Sequence, residues 1–408
     1  MSSEQPPSLK RVLSLPLVVL YGLGVTIGAG IYVLIGETAG RAGMLAPLSF
    51  LAAAVVMLFP ALCFAELSGR YPFASGAAQY AEESFGSRAV GLGIGLLVIS
   101  AGLVAASTIS LGSVQYLGSL INIPPSVLLI TLVGLMALIC IWGIKESVIF
   151  AGIMTLIEIG GLLAVIVGGF VFDYDLLMQV DRLLPDQWTN AVLSGVLQAS
   201  LLAFFAFIGF EGIANIAEET VSPRRTLPVA VLLTLAISSA IYAVVVSIAV
   251  LTVGPENLAV QRAPLAYLFE QTTGLPASVI TVIAVLATLN GVIVQMIMVS
   301  RLAYGLSSRG LLPSILCRVH AVRQTPVISI LLTSAMIMAL SLLFPVVELA
   351  EWTSRIILLV FSIVCVALFR LKLKGVPSPA GGFEVGAWVP AAGAILCAGL
   401  LAADLIWG

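Results

Sequence analysis

Apolar runs of about 20 residues, the length a helix needs to cross a bilayer, recur from one end of this chain to the other. Eleven can be counted, at 17–40, 45–68, 88–120, 125–143, 147–171, 191–218, 228–252, 276–306, 327–344, 347–371 and 386–407. Short polar stretches rich in turn residues separate them. The pattern predicts an all-α integral membrane protein with about eleven transmembrane helices. The runs at 88–120 and 276–306 are longer than a bilayer requires, which predicts tilt or projection into the cytoplasm.

Two runs carry glycine where a helix should be strongest. In the first, the sequence reads Gly24-Val25-Thr26-Ile27-Gly28-Ala29-Gly30-Ile31-Tyr32; in the sixth it reads Phe204-Phe205-Ala206-Phe207-Ile208-Gly209-Phe210-Glu211-Gly212. Glycine weakens a helix by about 1 kcal/mol relative to alanine, and its bare backbone can unwind. A span broken at depth leaves N–H and C=O groups that must meet protein, water or a ligand. Breaks at corresponding positions of two halves point to a transporter's substrate site. Close helix packing is the rival explanation for such glycines, and it is favoured for Gly22 and Gly24. A nucleotide-binding loop is excluded by the lack of a strand–turn–helix context.

The order of spans suggests a duplication inferred from pattern. A cytoplasmic segment at 1–16 precedes a first five-helix repeat at 17–171. A second repeat follows at 191–371, inverted because each unit has an odd number of spans, and 386–407 is an additional helix. The outer stretch Ala263–Glu270 looks like a short amphipathic helix over the outer entrance. Glu66 and Arg70 are spaced to pair on a helix end.

Composition agrees with the membrane assignment. The chain is 60% hydrophobic and 9% charged, against roughly 25% charged residues in soluble domains. With the N-terminus inside, fourteen Lys and Arg fall on the inner segments: Lys10, Arg11, Arg70, Arg88, Lys145, Arg224, Arg225, Arg301, Arg309, Arg318, Arg323, Arg370, Lys372 and Lys374. Four fall outside: Arg41, Arg182, Arg262 and Arg355. This positive-inside bias supports both the count and the orientation, and predicts a multi-pass protein of the plasma (inner) membrane. The outer loop after span five is acidic, with Asp173, Asp175, Asp181 and Asp186. Polar residues 1–16 lead straight into a full span, so no cleavable signal peptide is expected; residues 9–15 suggest a short interfacial stretch. The five cysteines read as packing residues, and one histidine, His320, supports neither haem nor a metal centre.

Several motifs in order carry a family resemblance: Gly28–Tyr32; Glu66-Leu67-Ser68-Gly69-Arg70-Tyr71-Pro72; Gly143-Ile144-Lys145-Glu146-Ser147; Phe204–Gly212 with Ala217-Glu218-Glu219; Ser222–Pro228; and Ser300–Tyr304 with Gly310–Pro313. The chain resembles the amino acid–polyamine–organocation (APC) superfamily, closest to its bacterial amino acid permeases. That resemblance implies a LeuT-like 5+5 inverted repeat with discontinuous helices one and six. It implies a substrate carboxylate on the N–H groups of Gly28, Ala29 and Gly30, and an ammonium on carbonyls at Thr26, Phe205 and Ile208, beside Gly209. Phe205 falls where relatives place an aromatic gate. Related proton-coupled permeases often carry lysine in span five; this chain has Glu158, so the lysine mechanism does not transfer. Many relatives have a twelfth span.

Carboxylates inside spans stand out because a charge at the bilayer centre costs at least about 2.5 kcal/mol. Glu211 and Glu158 are therefore candidates for proton coupling, with a permanently hydrogen-bonded structural acid as the alternative for each. For Glu211 the functional options include bonding to backbone freed in span one; for Glu158 they include pairing with a cation. Phe207, Thr288 and Asn290 are candidates for cavity lining, although threonine in a membrane helix usually bonds its own backbone. Glu37 is expected to reach the outer interface beside Arg41. Asp404 and Trp352 are expected at interfaces, and Glu218 and Glu219 with Arg224 and Arg225 in an inner cluster.

These residues favour a secondary active transporter of amino acids, a proton-coupled symporter working by alternating access, with no cofactor, no nucleic-acid partner and no enzymatic nucleophile–base pair. The alternatives are a sodium-independent exchanger or a polyamine/organocation carrier, the latter poorly supplied with acids. More remote are an ion channel or an antiporter-like subunit, which would show a polar filter or lysines within spans. The substrate, the coupling stoichiometry and the oligomeric state are not legible.

Overall fold

A computed structural model describes residues 11, 13–71, 76–142, 148–172, 176–185, 187–320, 325–379 and 382–407. The segment at 1–10, Pro72, the motif at 143–147, Asp173, Asp175, Asp186 and Arg323 lie outside these residues. So do residues 9, 10 and 12 of the expected interfacial stretch at 9–15.

The described chain is helical, without a strand. Its α-helices are α1 (Leu15–Thr26), α2 (Ala29–Ala42), α3 (Ala46–Arg70), α4 (Gly76–Phe85), α5 (Arg88–Gly118), α6 (Pro125–Trp142), α7 (Val148–Phe172), α8 (Asn190–Phe205), α9 (Pro223–Thr252), α10 (Pro255–Ala259), α11 (Pro264–Thr273), α12 (Ser278–Ser308), α13 (Val327–Leu343), α14 (Val346–Leu373) and α15 (Trp388–Trp407). Proline opens many of them where its missing N–H costs nothing, as in α1, α3, α9, α10 and α11. Thr189 caps α8 by accepting a hydrogen bond from the Val192 N–H at 3.3 Å.

Nine stretches of the described chain are long and apolar enough to cross a membrane, among them a 42-residue stretch at Ala29–Arg70 in which α2 and α3 meet around a turn at Gly43–Leu45. Two further apolar helices, Leu15–Thr26 and Val327–Leu343, fall below that length. The difference from the eleven runs of the sequence has a physical origin. The first run, 17–40, does not fold as one helix: α1 is short and α2 continues with α3 as a single stretch, while the ninth run forms a helix of only 17 residues.

Large apolar side chains point outward on many helices: Leu138 is 62% exposed, Val167 60% and Ile395 71%. In water such a surface would be untenable; against lipid it is the expected outer face. The interior holds α1, α2 and the segment after α8, surrounded by α3, α5, α7, α9, α12 and α14. Ile27, Ile31, Tyr32, Phe204 and Phe207 there are fully buried.

Candidate functional site

The first break is short and sharp. Helix α1 ends at Thr26, Ile27 turns extended (φ −81°, ψ 97°), and α2 restarts at Ala29. The last bond of α1 runs from the Ile27 N–H to the Leu23 carbonyl at 2.6 Å. At the start of α2 the first four N–H groups have no helical acceptor, and they sit at the positive end of its dipole. No side chain caps them at Gly28. A Cβ placed on Gly28 would meet no atom within 4 Å, so this end of α2 opens onto free space.

The second break is longer. Past Phe205 the winding tightens: Ala206, Phe207 and Ile208 N–H groups donate to Ala203, Phe204 and Phe205 carbonyls at 3.0, 3.0 and 3.2 Å. Gly209 then takes φ +135°, and a 3₁₀ segment follows over Phe210–Glu219. Glycine is required at 209 on two counts. Its φ is forbidden to side-chain-bearing residues, and a Cβ would lie 2.6 Å from the Val25 carbonyl oxygen. Gly30 returns the contact, since a Cβ there would collide with Ala206. Each break is thus pressed against the other through its own glycine.

A tyrosine locks this arrangement. The hydroxyl of Tyr242, from α9, donates to both the Thr26 and the Ala206 carbonyls at 2.9 Å, one acceptor from each broken helix. Its ring packs on Phe207 (5.1 Å) and Phe50 (5.9 Å). A second relay joins α2 to its neighbours just past the first break: the Tyr116 hydroxyl donates to the Tyr32 carbonyl at 2.7 Å, and the Tyr32 hydroxyl donates to the Glu158 carbonyl at 3.0 Å. Sequence patterns did not single these tyrosines out. The available signal was a polar handle on an aromatic ring inside an apolar helix, which when buried must find a partner.

The two acids differ. Glu211 Oε2 accepts a hydrogen bond from the Gly209 N–H at 2.8 Å, so it caps its own segment rather than backbone freed in span one. Glu158 is 1% exposed, and neither of its carboxylate oxygens has a hydrogen-bond partner among the described residues. The Thr26 hydroxyl is likewise buried without a partner.

Of the remaining candidates, Ala29, Gly30, Phe205 and Gly209 are buried, while Gly28 and Ile208 are half-buried. Phe207 is enclosed by Tyr242 and Phe50. Thr288 spends its hydroxyl on its own helix, at the Ala284 and Val285 carbonyls (2.8 and 3.0 Å), and Asn290 is half-buried. Gly22 and Gly24 are packing positions: a Cβ on Gly22 would lie 2.5 Å from Thr234 Oγ1, and one on Gly24 would strike Thr155.

Ionic networks tie the periphery together. Glu66 pairs with Arg70 as its spacing predicts (2.6 Å), but it also accepts from Lys372 at 2.8 Å and from the Val385 N–H at 2.8 Å. Elsewhere Arg41 pairs with Glu351 (2.6 Å), and Glu351 and Asp404 share Arg355. Asp404 is therefore a buried ion-pair member, 7% exposed. Trp352 packs against Phe344 with ring centroids 4.6 Å apart and the planes tilted by 60°. Backbone bonds also join the start of the first broken helix to the end of the second: the Leu13 N–H donates to the Glu219 carbonyl (3.0 Å) and the Val221 N–H to the Leu13 carbonyl (2.9 Å). Among the described residues no group of three or more His, Cys, Asp or Glu is arranged to hold a metal.

Comparison with known proteins gives a consistent result. The profile of one family, described as amino acid permease, matches residues 13–407. Cationic amino acid transporter 2, vacuolar, of Arabidopsis thaliana is 31% identical over 388 residues, covering 89% of this chain and 60% of that protein. The branched-chain amino acid permease BcaP of Bacillus subtilis (strain 168) is 28% identical, covering 90% of this chain and 82% of its own length. The methylthioribose transporter of the same bacterium is 25% identical, covering 91% and 84%. This chain therefore spans about 60% of the length of the plant relative.

Proposed function

Because this chain belongs to the amino acid permease family, whose relatives are permeases and transporters rather than enzymes, we propose that it is a secondary active transporter of amino acids in the plasma membrane. The observation that carries this is the pair of interlocked breaks, where no side chain caps the N–H groups of Gly28, Ala29 and Gly30 at the start of α2 and the space beside Gly28 is open. A zwitterion suits such a site. Its carboxylate lies on those N–H groups at the positive end of α2, and its ammonium lies on carbonyls at Thr26, Phe205 and Ile208 beside Gly209.

Two inverted five-helix repeats, with α15 as the appended helix and the N-terminus cytoplasmic, give the topology. Transport proceeds by alternating access: α1–α3, the α8 segment and α9 rock against the remaining helices, as a proton-coupled symport in which a carboxylate, Glu158 or Glu211, titrates. The close backbone contact of Gly30 with Ala206 and of Gly209 with Val25 supports joint movement of the two broken helices.

Thermal melting of the purified protein in the presence of each of the twenty amino acids, at two pH values, tests the assignment. A ligand at one hundred times its Kd stabilises the folded state by about 2.7 kcal/mol, readily seen as a raised melting temperature. Uptake of the stabilising amino acid into proteoliposomes driven by an inward proton gradient completes the test. If no amino acid raises the melting temperature at either pH and none accumulates, the assignment fails.

A further inference from the structure

Where α5 begins and α12 ends, the structure leaves positive charge without an equal complement. The two helices pack closely and run antiparallel: a Cβ on Gly95 would lie 3.1 Å from Leu306, and one on Gly102 would lie 2.5 Å from Val299. The first residue of α5, Arg88, therefore comes level with the turn that follows α12 at Arg309 and Gly310. A cleft of about 230 Å³ opens there, lined by Arg88, Arg309 and Leu311.

Both arginines are exposed. Arg309 donates to the two carboxylate oxygens of Glu82, from α4, at 3.0 and 2.9 Å, yet its side chain stays 50% exposed. Arg88 makes no ion pair among the described residues. Two guanidinium groups facing one carboxylate leave a surplus of one positive charge, which a single monoanion neutralises.

What lies beyond the cleft identifies the anion. Arg88, Leu92 and Leu96 recur at every fourth residue and so share one side of α5. Leu96 is 40% exposed, and a Cβ on its neighbour Gly93 would meet no atom within 4 Å. An apolar track with open space beside it therefore leads from Arg88 along a membrane-spanning helix. A soluble anion uses only the mouth of such a site. A phospholipid uses all of it, with its headgroup at the arginines and an acyl chain on the leucines. The ends of spans stand at the level of the headgroups, and basic pockets between spans suit anionic ones.

We infer that this cleft binds the phosphodiester of an anionic phospholipid, and that the bound lipid joins α5 to α12. Arg88 is its main cation, since Arg309 shares its charge with Glu82. Glu82 opposes the lipid, so removing that negative charge strengthens binding. The site does not depend on which solute the protein carries.

Native mass spectrometry of the full chain in detergent, titrated with phosphatidylglycerol or with phosphatidylcholine, counts the lipids that stay bound. The wild type should retain one phosphatidylglycerol in preference to phosphatidylcholine. R88Q should weaken that preference about fivefold, and E82Q should strengthen it. R225Q, which alters an exposed arginine at the start of α9, should leave it unchanged. In nanodiscs the melting temperature of the wild type should rise when phosphatidylglycerol replaces phosphatidylcholine, and inorganic phosphate should not reproduce the rise. Equal retention of the two lipids by the wild type, a preference untouched in R88Q or lost as fully in R225Q, or a rise reproduced by phosphate alone overturns the inference. Should R88Q fail to fold, E82Q decides: a preference no stronger than that of the wild type also overturns it. No transported solute enters these measurements, so their outcome is separate from that of the amino-acid assay.

Discussion

At the scale of single residues the site depends on positions where one atom more or less changes the backbone. Gly209 combines φ +135° with a carbonyl 2.6 Å from where a Cβ would sit. Gly209→Ala should therefore destabilise the protein by about 1–3 kcal/mol or more and remove amino-acid stabilisation in the melting assay. An equal response from Gly28→Ala is not expected, because space is open there; that substitution should fold normally and weaken binding alone. Tyr242→Phe keeps the ring on Phe207 but strands the Thr26 and Ala206 carbonyls. Leaving buried acceptors without a donor costs about 1–3 kcal/mol, so the variant should melt at a lower temperature and bind more weakly. A variant that matched the wild type in both would show that the hydroxyl does not hold the breaks in register.

At the scale of elements, what the sequence reveals depends on whether a feature is local. Both helix breaks were legible because glycine at mid-span is a local signal, and the structure ends α1 at Thr26 and α8 at Phe205 within the expected stretches. The Glu66–Arg70 pair was legible for the same reason, since four residues bring two side chains to one helix face. Lys372 and the Val385 N–H were not, because they reach Glu66 from more than 300 positions away. The Tyr242 bond suffers the same limit: 216 positions separate it from Thr26. Arg41's pairing with Glu351 was hidden for the same reason, since 310 positions separate them. The fully buried Glu66 carboxylate joins α3 to α14 and to the stretch before α15. Glu66→Ala leaves Arg70 and Lys372 without their shared acceptor, and breaking a buried pair costs about 3–5 kcal/mol. A drop in melting temperature clearly larger than for Arg309→Ala, whose pair with Glu82 is half exposed at the arginine, is the expected outcome.

At the scale of the whole molecule the distribution of lysine and arginine favours an inner N-terminus, and one thiol allows the orientation to be read out. Cys63, Cys140, Cys365 and Cys397 are buried, whereas Cys317, between α12 and α13, is half-buried. With the N-terminus inside, Cys317 lies on the cytoplasmic face. A membrane-impermeant maleimide should modify it in inside-out vesicles and leave it intact in right-side-out ones. The opposite pattern would invert the topology and with it the direction assigned to each network.

The reciprocal glycine contacts carry a mechanical consequence. Gly30 lies flush on Ala206 and Gly209 on Val25, with one phenol riveting both strands of chain. Two rods joined in that manner cannot slide lengthwise past each other without tearing the joint; they can only tilt together about it. In the proposed transport cycle, cargo at the joint would ride on the hinge pin, and access to either compartment would change while the grip itself kept its shape.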